Sequence, residues 1–209
     1  MRSVKRQTGV DDMTKSVDFY FALQSPWAHL GSKLLTEIAA RHDLTVRAKP
    51  VDLGSIFPKS GGLPLAKRAP QRQAYRMTEL KRWSAYRGVD IVFEPVHFPT
   101  DPTLGSCMII AASLAGQDAL ALSHALLAVT WLDDRNIADP ADLVSAADAA
   151  GFDGSHLVEQ AQSEAAKSGY EAVTQEAFDK GVFGSPTYVY QGELFWGQDR
   201  LEFLERAVA

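Results

Sequence analysis

Val17-Asp18-Phe19-Tyr20-Phe21-Ala22-Leu23, followed at once by Gln24-Ser25-Pro26-Trp27-Ala28, decides the fold of this chain. The first seven residues are apolar, alternating and rich in aromatics, which reads as a buried strand. Ser25 then has the character of a helix N-cap, with Pro26 at the first helical position, where a missing N–H costs nothing. Leu30, Leu34, Leu35, Ile38 and Ala39 recur at helical spacing, so the helix runs to about Arg41. Arg41-His42-Asp43 supplies a break, and Leu44 to Val51 alternates as a strand does. A strand, helix, strand succession demands a parallel pair joined by a crossover helix.

Outward from this unit the period changes twice. Gly54, Ser55, Pro58, Ser60, Gly61, Gly62 and Pro64 mark 52–65 as a loop. Helical patterns follow over 70–87, ending at Gly88, and over 103–115, 118–131, 139–150, 155–166 and 169–180, with a short extended piece at 89–93 and a loop at 96–102. Thr187 to Tyr190 and Glu193 to Trp196 flank Gln191-Gly192 as a hairpin, and 199–207 reads as a last helix. The expected architecture is α/β: a small sheet made from both ends of the chain (17–58 and 181–209) with an all-helical domain (59–180) inserted between them. Residues 1–16 are polar and read as a flexible tail, with Met13 as an alternative start.

With 209 residues, 46% of them apolar, the chain can bury a substantial core. No apolar run is long enough to span a bilayer and the N-terminus lacks the apolar centre of a secretory signal, so a cytoplasmic protein is expected. The single cysteine, Cys107, forbids an internal disulfide, and its neighbours Met108 to Ala112 mark it as a core residue. The net charge of −5 hides an asymmetry: eight basic residues against Glu79 alone over 59–87, then thirteen acids against three bases over 101–180. An acidic chain is a poor nucleic-acid binder; the basic stripe either steers a small anion or pairs with the acidic segment. The five histidines show no ligand spacing, which argues against a metal site, and His29 is expected to pack. Nucleophile-elbow, phosphate-loop and dinucleotide motifs are missing from the sequence.

Three segments carry chemistry. A thiolate placed over Ser25 would gain a hydroxyl donor and the positive end of a helix together. Lowering a thiol by two pKa units takes about 2.7 kcal/mol, against about 1.5–3 from a hydrogen bond to a charge and about 0.3–1 from a helix end, so the two together reach it and neither alone does so comfortably. Phe183-Gly184-Ser185-Pro186-Thr187 places a proline at the start of a strand, as at an edge or a cis bond that offers backbone to an extended peptide. Trp196-Gly197-Gln198-Asp199-Arg200 reads as a capping box of Asp199 and Glu202, whose helix N-terminus and carboxylate also suit a ligand carrying a carboxylate beside an ammonium.

Together these segments resemble the 2-hydroxychromene-2-carboxylate isomerase family, close to the kappa-class glutathione transferases and the DsbA family, over residues 16 to 209. The resemblance implies a thioredoxin-like fold with an inserted all-helical domain. Ser25 and Ala28 then stand where a redox relative carries its cysteine pair, which rules out disulfide exchange. It implies glutathione as cofactor, with Ser25 against the sulfur, Ser185 and Pro186 as a cis-proline loop, and Trp196, Gly197, Gln198 and Asp199 around the γ-glutamyl end. Lys67 and Arg68 would hold the carboxylate of a small aromatic substrate, with His97 or Phe98 beside its ring. The chain departs from the family at Gly61-Gly62, where Gly-Asn is common, and in a lysine displaced to Lys59.

The implied activity is cis-trans isomerisation of an aromatic 2-oxo or hemiketal carboxylate in ring degradation, by a homodimer with no nucleic-acid or membrane partner. The alternatives are a kappa-class-like transferase and a non-catalytic peptide-binding module. The scheme requires the Ser25 hydroxyl to face a cavity and the bond before Pro186 to be cis.

Overall fold

The computed structural model describes residues 15–209; the expected tail and Met13 fall almost wholly outside them. Where the two meet, the tail is shorter than expected. Ser16 already opens strand β1 (Ser16–Phe21), the Thr45 N–H donates to the Lys15 carbonyl at 2.8 Å, and Lys15 Nζ donates to the Val208 carbonyl at 2.7 Å.

β1 leads through a tight turn into α1 (Pro26–His42) and then β2 (Thr45–Pro50), paired parallel with β1 from Ser16 opposite Thr45 to Phe21 opposite Pro50. The expected loop that follows is instead a helix, α2 (Leu53–Ser60). Its glycine and proline are poor helix formers, but Asp52 caps it by accepting the Gly54 N–H at 2.7 Å, Gly61 closes it at φ 76°, and Ile56 is buried beneath it. Capping and burial outweigh propensity.

A 3₁₀ turn (Leu65–Lys67) and α3 (Pro70–Arg87) come next, the helix ending at Gly88 with φ 60°. The piece at 89–93 forms no strand; Val92 donates one N–H to the Trp131 carbonyl at 2.7 Å. Helices α4 (Thr103–Leu114), α5 (Ala119–Trp131), α6 (Pro140–Ala149), α7 (Gly154–Ala161) and α8 (Glu164–Asp179) follow. The break between the last two precedes the expected one because Ser163 caps α8, accepting the Ala166 N–H at 3.2 Å.

β3 (Thr187–Tyr190) and β4 (Glu193–Trp196) form the hairpin around Gln191 and Gly192, both at positive φ. A 3₁₀ turn (Gln198–Arg200) leads into α9 (Leu201–Val208). The expected capping box does not form: the Asp199 carboxylate accepts from Arg200 Nη1 at 2.7 Å, and Glu202 pairs with Arg87 at 3.1 Å.

The sheet order is β2-β1-β3-β4, with β3 antiparallel to β1. Val17, Phe19 and Phe21 face a core shared with Leu30, Leu35 and Ile38 of α1, Met108 of α4 and Trp131 of α5. Tyr20 points the other way, into a cluster with Val51, Ile56, Ala177, Val182 and Val189. Beside it Asp18, 2% exposed, receives Arg47 Nε at 2.6 Å and Lys180 Nζ at 2.8 Å. Glu176 accepts Lys49, Lys180 and the Tyr20 hydroxyl, which fastens α8 to this face. Burial opposes ionisation of Asp18, yet hydrogen bonds from Lys180 and Arg47 hold its carboxyl below the usual range.

The basic stripe does not pair with the acidic segment. Among the described residues its ion pairs are Arg82 with Glu79 and Arg87 with Glu202. Lys59, Arg76 and Lys81 lie instead over the rings of Phe178, Phe98 and Phe93. Cys107 is buried, and burial pushes its thiol pKa up. No helix among the described residues is long and apolar enough to cross a membrane.

Candidate active site

Ser25 occupies the N-cap of α1 in extended conformation, with its N–H donated to the Ala22 carbonyl at 2.9 Å. Its hydroxyl oxygen accepts the Ala28 N–H at 3.2 Å and donates to the Ser185 carbonyl at 3.1 Å. Ser185 returns the contact: its own hydroxyl accepts the Ala22 N–H at 2.9 Å. The bond from Ser185 to Pro186 is cis, as the scheme requires. Ser25 is 5% exposed, and it lines neither the cleft of about 440 Å³ at Asp18, Arg47 and Lys180 nor that of about 410 Å³ at Asp52, Lys59 and Phe178. The Ser185 carbonyl closes over the hydroxyl instead.

The third expected segment joins the same cluster. The Gly197 N–H donates to the Pro186 carbonyl at 2.9 Å, and Gly197 takes φ 101°, a conformation that disfavours any side chain. Trp196 and Phe183 meet edge to face, ring centres 4.7 Å apart, both well exposed. A Cβ on Gly184 would collide with the Trp196 indole nitrogen, so the glycine is what lets the indole lie across this loop. Asp199 projects a half-exposed carboxylate, whereas Gln198 is 2% exposed with its amide oxygen held by Arg87 Nε at 2.9 Å.

On the other side the helices approach through Gln24. Its amide nitrogen donates to the Thr100 carbonyl, and Trp131 Nε1 donates to the Leu23 carbonyl at 3.2 Å. Phe98 packs on Trp131 with ring centres 5.0 Å apart, and Arg76 lies 5.8 Å over the Phe98 ring. Of the expected substrate residues, Phe98 is joined through Trp131 to the end of the strand that leads to Ser25, while His97 and Lys67 lie exposed. Arg68 is half-buried, with Nε bonded to the Leu63 carbonyl at 2.8 Å.

Arg76 is the residue the sequence did not single out from its stripe. Burial first, then repulsion from Arg68, pushes its pKa down to about 10, and no carboxylate contributes to it. Two guanidinium groups that repel each other, with no acid lowering the cost, favour the approach of an anion. Only its position among eight basic residues marks it in the sequence.

His29 packs as expected: it is 6% exposed, its Nε2 lies 3.0 Å from the Asp90 carbonyl, and burial lowers its pKa. Among the described residues no group of three or more metal-ligating side chains is found.

Residues 16–209 match the DSBA-like thioredoxin domain family. The chain is 30% identical to the 2-hydroxychromene-2-carboxylate isomerase of Sphingobium xenophagum, over 92% of this chain and 97% of that protein. A solved 2-hydroxychromene-2-carboxylate isomerase structure superposes with a TM-score of 0.78 at 27% identity, covering 92% of this chain and 93% of the other. Glutathione S-transferase kappa 1 of Rattus norvegicus is 24% identical over 90% of this chain and 88% of its own.

Proposed function

The chain belongs to the DSBA-like thioredoxin domain family, and from there we propose that it is a glutathione-dependent cis-trans isomerase of an aromatic 2-oxo or hemiketal carboxylate, of the 2-hydroxychromene-2-carboxylate type. The observation that carries the reading is the Ser25 hydroxyl, set at the start of α1 and 3.1 Å from the carbonyl that precedes cis-Pro186. Its similarity to named isomerases supports the choice of reaction.

Glutathione, when bound, would supply a thiolate nucleophile able to add reversibly to the conjugated side chain so that its double bond can rotate. The residues of the chain make that thiolate available. Ser25 has a single O–H donor, which serves the Ser185 carbonyl or a sulfur but not both. A charged acceptor is worth about 1.5–3 kcal/mol against about 0.5–1.5 for a neutral one, so the hydroxyl turns to sulfur and frees the Ser185 carbonyl for a ligand N–H. That exchange nets about 1–1.5 kcal/mol, and the helix end adds about 0.3–1, which together bring a thiol from about 8.5 to about 7. The gain falls short of two pKa units because the donor is already engaged.

Trp196, Gly197, Gln198 and Asp199 would border the γ-glutamyl end, with the Asp199 carboxylate available to its ammonium. Arg68 and Arg76 would grip the substrate carboxylate with Phe98 against its ring, so that only the rest of the molecule turns. The same reading takes residues 17–58 and 181–209 as the thioredoxin-like part, 59–180 as the insert, and the enzyme as a cytoplasmic homodimer. The similarity to a kappa-class transferase favours one alternative, a stable conjugate as product.

The experiment is isomerisation of 2-hydroxychromene-2-carboxylate followed by absorbance, with and without glutathione. Turnover only with glutathione is expected; turnover in its absence overturns the scheme. Conjugation of chlorodinitrobenzene without isomerisation would select the transferase.

A further inference from the structure

Arg87 closes α3, and its side chain is 9% exposed. Its guanidinium uses all three nitrogens on one neighbouring segment. Nε donates to the Gln198 amide oxygen at 2.9 Å, Nη2 to the Gln198 carbonyl at 3.1 Å, and Nη1 to Glu202 at 3.1 Å. Trp83 and Tyr86 of the same helix cover it, with ring centres 5.1 and 5.4 Å away.

The segment it holds is the turn that presents Gly197 and Asp199. Gly197, at φ 101°, gives that turn little stiffness of its own, and the Gly197 N–H to Pro186 carbonyl bond ties it from the opposite side. Without the guanidinium, the buried Gln198 would lose the partner of its side-chain amide oxygen, and its backbone carbonyl would keep only the Leu201 N–H. A lysine could meet only part of this set, since a point charge on a flexible stem lacks the planar fork.

We propose that Arg87 is a positioning residue that locks the Gly197–Arg200 turn, and with it the γ-glutamyl end of glutathione, to the helix that also carries Arg76. This rests on the glutathione reading above. The two half-sites are thereby held in one frame.

The test uses the full chain with Arg87→Met and Arg87→Lys, circular dichroism to verify folding, and two readouts. Hydrogen exchange at the 197–200 amides is compared with exchange in β1. Calorimetric affinity is measured for glutathione and for cysteinylglycine, which keeps the thiol and glycine but lacks the γ-glutamyl group. Exchange at 197–200 is expected to quicken about tenfold and glutathione to bind about tenfold more weakly, with cysteinylglycine unchanged. Wild-type exchange together with glutathione affinity within about twofold of wild type overturns the proposal, as does equal weakening of both ligands. If the wild type binds no glutathione, the isomerase reading falls, and the positioning of the turn is judged by exchange alone. If Arg87→Met does not fold, Arg87→Lys is read in the same way.

Discussion

The Ser25 hydroxyl lies 3.1 Å from the carbonyl oxygen of Ser185, 160 positions away in sequence, while accepting the Ala28 N–H at 3.2 Å. The bond it accepts polarises the O–H that it donates, which makes the hydroxyl a better partner for an anion than an isolated serine would be.

Ser25→Ala removes that donor and the cap of α1. Glutathione-dependent kcat/KM is expected to fall about 10- to 100-fold, and stability by about 1 kcal/mol in urea unfolding. The acid limb of the pH–rate profile should also move upward, because the thiol loses its partner. A rate loss without that movement would mean that Ser25 acts only as a cap.

Arg76→Met and Lys67→Met separate the half-buried cation from the exposed one. The first should lower kcat/KM for the carboxylate substrate about 10- to 100-fold through KM, with glutathione affinity retained, because a partly desolvated guanidinium pairs bidentately with a carboxylate. The second should change it by less than about twofold, as expected for a solvated charge. Steady-state kinetics on both variants decides between Arg76 and the residue that the family resemblance offered.

Stability should fall in two pH windows. Burial pushes the pKa of His124 down to about 4 and lowers that of His29, and the buried Nε2 of His124 has no hydrogen-bond partner among the described residues. Both are therefore neutral in the fold. Their contribution is complete above the unfolded value of about 6.5 and shrinks as pH falls, by at most about 1.4 kcal/mol per pH unit for each. Glu176 acts lower. Burial opposes its ionisation, but bonds from Lys180, Lys49 and Tyr20 hold it at about 2, so its contribution is lost below the unfolded range near 4.5. Urea melts between pH 7 and 4.5 should show the loss, and His124→Gln should flatten it there while leaving the lower window.

Asp18→Ala removes the carboxylate that receives Arg47 and Lys180 and leaves Glu176 to Lys49 and Lys180. A cost of about 1.5–3 kcal/mol is expected from denaturant melts, with catalysis per folded molecule unchanged, since the cluster lies on the sheet face opposite Phe19 and Phe21. Asp18→Asn should cost less.

The strand, helix, strand unit and the final hairpin are legible in the sequence because their periods of two and 3.6 differ sharply and Gln191-Gly192 punctuates them. α2 is not legible, because Gly54 and Pro58 argue locally for a loop while the burial of Ile56 is a tertiary fact. The Asp199 capping box fails for a similar reason: Arg87, remote in sequence, claims Glu202. Of the candidate site, the Ser25 cap was legible and the cis bond before Pro186 was implied by the family resemblance, while the bond from the Gly197 N–H to the Pro186 carbonyl was not anticipated. Nor was the closure of the Ser185 carbonyl over the hydroxyl, since no pattern along the chain encodes it. Arg76 stayed hidden because charge alone does not tell which members of a basic stripe turn inward.

β3 pairs antiparallel with β1, and the loop that leads into it carries Ser185, which lies against Ser25 as one wall of the site. On the ribosome, α1 and its serine emerge early and wait through the whole helical segment for that wall. A nascent chain halted before the hairpin would expose an edge of β1 and lack the Ser185–Pro186 loop, so chains cut short ahead of the hairpin should become chaperone clients.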